Sequence, residues 1–236
     1  MTGLLFRLQF LSWLRSRRVL LLLATMALAL VVTSSWSTAG DIARRGAQAD
    51  AAVSARQQWE GRGAAHPHSM AHFGDFAFRP SGPLARLDRG VQSRLGKVLR
   101  IEGHRQGTPL HSDAARAGTV ARFSSPDAAF LLQTVVPLLL IFLGATGIAA
   151  DRASGRLKLS LVQGAGAHAV AGGHFLALWC LGLIMLSLVL IASLATSLVF
   201  GAEAAPAGDR LAAFVLVHGL YLAIVSSAVV AAAMWP

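Results

Sequence analysis

Asp151-Arg-Ala-Ser-Gly-Arg-Leu-Lys-Leu-Ser-Leu-Val-Gln163 is the stretch on which the fold turns. It is a short basic interruption between two runs that contain no Asp, Glu, Lys or Arg, Ala128–Ala150 and His174–Ala202. About 20 apolar residues cross a hydrocarbon core of roughly 30 Å, so the three pieces together predict a transmembrane hairpin with a polar turn. Inside lipid a backbone must satisfy its own hydrogen bonds, which makes each run a helix. Two further charge-free runs, Val19–Thr38 and Leu211–Trp235, bring the expected spans to four.

Composition agrees with that reading. Over 236 residues the chain is 55% hydrophobic and 14% charged, too apolar for a soluble domain of this length. Its net charge of +10 would suit a nucleic-acid ligand only if the charges were spread over a surface. Most of them lie between Asp41 and Asp127, so no nucleic-acid partner is expected. Arg dominates the basic residues, Asn is absent and Ala is abundant, a bias that points to a GC-rich bacterial genome. Without Asn there is no N-glycosylation acceptor, and the single Cys180 allows no intrachain disulfide.

Basic residues beside the spans set an orientation. Arg7, Arg15, Arg17 and Arg18 precede the first span, and Arg152, Arg156 and Lys158 follow the second. The positive-inside rule places both groups, and hence the N-terminus, in the cytoplasm of a bacterial inner (plasma) membrane protein. Residues 39–127 are Arg-rich, yet loops this long translocate largely regardless of charge, so they are expected outside. The resulting division is a cytoplasmic amphipathic segment 1–18, spans 19–38 and 128–150, an extracytoplasmic subdomain 39–127, a cytoplasmic coupling segment 151–173, spans 174–202 and 211–235, and an outer loop 203–210. The expected fold class is mainly α and integral to the lipid bilayer, with a small mixed α/β subdomain between the first two spans. The first span mimics a cleaved signal peptide around Ser37-Thr38-Ala39. The amphipathic Leu4–Leu14 ahead of it favours an uncleaved anchor with that segment lying in the membrane surface.

Local signals add detail. Ser125, Pro126 and Asp127 form a capped start for the second span, and Pro137 predicts a kink within it. Residues 39–63 lack a breaker after Gly46 and predict an outward continuation of the first helix. From His66 the chain reads as irregular, with aromatics alternating loosely through His72–Arg79, and the run Lys97–Glu102 predicts a strand in the subdomain.

His66-Pro-His-Ser-Met-Ala-His-Phe-Gly-Asp-Phe-Ala-Phe-Arg-Pro80, followed by Leu84, Asp88-Arg-Gly90 and Glu102-Gly-His-Arg-Gln106, resembles the extracytoplasmic loop of a bacterial group of ABC-2-type transporter permeases. The second span through Gln163 is similar to the same family, whose second helix is followed by a charged patch, a Gly and a Leu-rich run. Ala153 stands where the family has Glu, and Arg156 where it has Thr. The resemblance implies ATP-driven transport through two permease subunits, in a homo- or heterodimer, joined to two ATP-binding ABC subunits. It makes Asp151, Arg152, Gly155, Arg156, Leu157, Lys158 and Leu161 the ATPase-coupling residues. It also implies about six helices, of which this chain carries four, so the reading is the permease or its N-terminal part.

From the residues alone, a helix over 151–162 would place Ala153, Leu157 and Leu161 on one face, and Arg152 with Arg156 on another. Its polar side would then face an acidic groove on the ATPase. The alternative is an ordinary interfacial loop.

No enzyme is expected. Gly90-Val-Gln-Ser-Arg-Leu-Gly-Lys97 has one residue too many between its glycines for a phosphate-binding loop, and Val98 stands where Ser or Thr should bind magnesium. ATP hydrolysis must therefore belong to another chain, and no cofactor is implied. No Ser-His-Asp, zinc-protease or paired-carboxylate pattern is present. The rival function is a metal-binding membrane protein without an ATPase. His66, His68 and His72 fall within seven residues, with His104 and His111 later, and imidazole is a common zinc or copper ligand. Against that set, these rings are expected to pack with neighbouring phenylalanines, since the segment lacks Cys and Asp75 is the only close carboxylate. His218 within the fourth span is expected to bond a neighbouring helix, and His174 to be solvated at the interface.

Overall fold

The computed structural model describes residues 1–108, 110, 112, 127–200 and 208–235. His111, Ser125, Pro126 and most of the expected outer loop fall outside that set. Four helices are long and apolar enough to cross a membrane. They are α2 (Arg17–Glu60), α4 (Ala128–Ala153), α6 (Ala167–Val199) and α7 (Gly208–Met234). Shorter helices are α1 (Thr2–Arg15), α3 (Pro67–Phe73) and α5 (Arg156–Val162). Strands β1 (Asp75–Phe78) and β2 (Val98–Ile101) pair antiparallel, with Phe76 opposite Arg100 and Phe78 opposite Val98.

Two compact units result. The first comprises Met1–Ser34, Ala128–Ala192 and Ala207–Pro236; the second comprises Ser35–Asp127 and Ser193–Pro206. In the first, Leu140 and Leu143 of α4, Leu178 and Val189 of α6, and Leu222 of α7 are almost wholly shielded from solvent. Helices in lipid gain little from the hydrophobic effect and rely on close packing instead. Gly144 provides it, since a Cβ there would stand 2.9 Å from Leu178 Cδ1 and closer still to Val229. The backbone of α4 can therefore approach α6 and α7 only with glycine at this position. Ser34 Oγ of α2 donates to the Val189 carbonyl of α6 at 3.0 Å.

Pro137 leaves its mark as an irregular turn. Leu131–Val135 forms a π-helical turn immediately before it, a familiar response to a missing amide. The proline cannot donate to the Gln133 carbonyl four residues back, and Tyr221 of α7 supplies that hydrogen bond at 2.8 Å. His218 lies one turn away, 5% exposed. Its Nδ1 is 2.9 Å from the Phe214 carbonyl and its Nε2 is 3.2 Å from Gln133 Nε2. A carbonyl only accepts, so Nδ1 carries the proton and Nε2 of the neutral ring accepts from the Gln133 amide. The helix-bonding role expected for His218 is thus what the geometry displays.

The second unit contains the C-terminal part of α2, which continues to Glu60 as the missing breaker predicts. Asp41 on this part is completely buried. Arg45 donates to its Oδ2 at 2.6 Å and Arg86 Nε lies 3.7 Å away. Arg45 also donates to the Gly82 carbonyl at 2.8 Å, and Gln48 to the Arg79 carbonyl at 2.5 Å. Thr38 and Ser193 share a hydroxyl hydrogen bond of 3.0 Å, and Thr196 donates to Ser35 at 3.0 Å.

Candidate functional site

The interruption at 151–163 is two structures, not one. Helix α4 ends at Ala153, Ser154 returns its hydroxyl to the Ala150 carbonyl at 2.7 Å, and Gly155 takes a left-handed conformation at φ +75°. That conformation is costly for any residue with a Cβ and is the usual glycine stop after a helix. Helix α5 then starts afresh at Arg156. The expected continuous face is therefore corrected: Leu157 and Leu161 share α5, while Ala153 belongs to α4. The stretch between the two long helices is also shorter than the expected 151–173, because α6 begins at Ala167, seven residues before His174.

The charges are redistributed as well. Arg152 and Arg156 do not form a common face, because each is engaged within the chain. Arg152 Nη2 donates to the carbonyls of Ala233 and Trp235, at 3.3 and 3.4 Å, where a cation meets the negative end of α7. Arg156 Nε donates to Asp151 Oδ1 at 2.8 Å, with Nη2 on the same oxygen. The other carboxylate oxygen lies 3.4 Å from His174 Nε2. His174 is 7% exposed, so its partner is Asp151 and not interfacial water as expected.

Asp151 lies one residue past the apolar run of α4. Burial pushes its carboxyl group towards protonation, and the hydrogen bonds from His174 and Arg156 outweigh that effect. The net result is a carboxyl held below the ordinary range, and so an anion at neutral pH.

Asp151, Arg156, Leu157, Ser160 and His174 line one side of a cleft of about 510 Å³; Gln9, Ser12 and Arg15 of α1 line the other. Helix α1 docks closely on the start of α6, since a Cβ on Gly173 would fall 2.7 Å from Leu5 Cβ. Gln9 and Trp13 of α1 are buried while Leu4 and Leu8 are exposed. On α5 the opposite side is open: Leu159 is 56% exposed and Val162 76%. Lys158 beside them is exposed and makes no hydrogen bond or ion pair among the described residues. Sequence reasoning did not include His174, Ser160 or Gln9 in the site. The signal for His174 was weak, a lone histidine 23 positions from its carboxylate.

The histidines of the second unit divide differently from their spacing in the chain. His66 caps α3, its Nδ1 accepting the His68 amide at 3.2 Å. His68 and His72, one turn apart on α3, are joined by His104 from the turn after β2. Their rings contact one another, and the described ring contacts do not include the expected ones with phenylalanine. Comparison of the chain with protein-family models, curated proteins and solved structures gives no match.

Proposed function

We propose that this chain is a permease subunit of an ABC-2-type transporter, moving a substrate with ATP hydrolysed by a separate subunit. The observation that carries the reading is α5. It is a seven-residue helix held between two membrane-length helices by a glycine break on its N-terminal side and by the Asp151 pairing at its base. Its open side combines Lys158 with exposed Leu159 and Val162. A rigid lever of that kind transmits a push, because its base is tied to both α4 and α6 through Asp151, Arg156 and His174. The polar face once expected from Arg152 and Arg156 is replaced by an apolar face carrying a single lysine. An ATP-binding ABC subunit would receive it in an apolar groove with an acidic rim.

In this reading the N-terminus and α5 lie in the cytoplasm of a bacterial inner membrane, following the basic residues that flank the spans. The second unit lies outside, and a second permease subunit completes the pathway. The test is to look beside the gene for a Walker-containing ATPase and to ask whether it co-purifies with the chain from detergent extracts. Leu159→Asp together with Val162→Asp should abolish co-purification while leaving the chain in the membrane. Loss of the proposal follows if no such ATPase associates, or if it binds the double variant as well as the parent.

A further inference from the structure

We propose that His68, His72 and His104 form a binding site for one divalent transition-metal ion of the zinc or copper class. Each offers one ring nitrogen, and the three nitrogens lie within 4.8 Å of one another. His68 Nε2 and His72 Nε2 are 3.2 Å apart. Two imidazoles on a tetrahedral zinc at about 2.0–2.1 Å would have their nitrogens about 3.3 Å apart, so this pair stands at the spacing a metal requires. Histidines four residues apart on a helix share a face, and that accounts for the pair but not for the third ring.

The third ring is placed by backbone. His104 has φ +64°, a left-handed conformation that is unusual for a residue with a large side chain. The Gly103 amide donates to the Ala71 carbonyl of α3 at 2.6 Å, and a Cβ on Gly103 would press within 3.3 Å of Ala71. Arg100 Nη2 of β2 donates to the Phe73 carbonyl at 3.2 Å. These contacts lock the turn after β2 onto α3 and direct His104 towards the two rings there. The nearby Glu102 carboxylate is already held by Arg100 at 3.2 Å and Arg105 at 3.4 Å. Three neutral nitrogens and no thiolate suit a borderline ion and not magnesium or calcium. All three rings are exposed, so the ion can enter from solvent and keep a fourth position for water. His66 stays outside the set, since its Nδ1 is committed to capping α3. The inference stands apart from any coupling to an ATPase.

The test uses the full chain purified in detergent and dialysed against zinc chloride or copper(II) chloride, with magnesium chloride as a control. The parent should retain one zinc or copper ion per chain and no magnesium. Glycine is at ease at φ +64°, so His104→Gly removes the imidazole without penalising the turn. It should weaken binding by more than the roughly 10–100-fold that loss of an outer-sphere partner costs, and His72→Ala should do the same. His66→Asn, which keeps an acceptor for the first turn of α3, should bind as the parent does. Copper EPR of the parent should show nitrogen ligands that are lost in His104→Gly. Retention of neither metal, parent-like binding by His104→Gly, or equal loss in His66→Asn would each overturn the proposal. Unchanged helical circular dichroism and trypsin fragments certify that His104→Gly is folded.

Discussion

Asp41 in the second unit and Leu140 in the first are both completely buried, yet they hold their surroundings together by opposite means. Leu140 sits among aliphatic side chains of three helices, where stability comes from fit, and fit is set by whether backbones can approach. Asp41 is an anion whose burial is tolerated because Arg45 and Arg86 supply charge and hydrogen bonds, and because Arg45 extends the network to Gly82. The two units therefore differ in fragility. An apolar helix bundle loses stability in proportion to the misfit introduced, whereas a buried ion network fails when one member is removed.

The largest expected effect tests that contrast directly. Asp41→Ala removes the buried carboxylate around which Arg44, Arg45 and Arg86 gather at 3.8, 2.6 and 3.7 Å and should cost about 3–5 kcal/mol. It should be seen as rapid trypsin cleavage within residues 35–108 while the helical circular dichroism of the spans persists. If the spans melt together with the second unit, the two are not separate in their energetics and the comparison is broken. Gly144→Val comes next. Overpacking of α4 against Leu178 and Val229 should cost about 1–3 kcal/mol, read as a lower melting temperature with unchanged trypsin resistance in residues 35–108.

The smallest effect sharpens the comparison by removing a charge from the first unit. Asp151→Asn should cost less than about 1 kcal/mol, because Arg156 is largely exposed and screened by solvent. Asp151 has a lowered pKa in the folded chain, so its contribution is present above the ordinary value of 3.8 and lost as pH falls through the lowered one. The stability difference between parent and Asp151→Asn should therefore be constant near neutral pH and vanish in strong acid. A cost as large as that of Asp41→Ala would show that the first unit also depends on buried charge.

The four long helices were legible because length and absence of charge suffice to define them. Their ends were less so. Helix α6 starts at Ala167, inside what reads as a polar loop, because Gly172 and Gly173 are accommodated by the docking of α1 and do not act as breakers. The strand Val98–Ile101 was legible from the run Lys97–Glu102, whereas its partner Asp75–Phe78 read only as loosely alternating aromatics in an irregular segment. In the candidate coupling site, Asp151, Arg156 and Leu157 were identified by their chemistry and order, but their partners were not. Gly155 falls inside the helix considered over 151–162, whereas its positive φ makes it the stop.

Sequence by itself determined that the chain has four helices long and apolar enough to cross a membrane, because length and absence of charge are recorded directly in the order of residues. It also named the residue types at both sites. Tertiary structure alone decided which of them meet. His104 joins His68 and His72 across more than thirty positions because the Gly103 amide bonds α3; His174 reaches Asp151 because two helices return side by side. Pairings of that kind depend on backbone direction and on which donor is left without a partner, and neither quantity is written in the order of the residues.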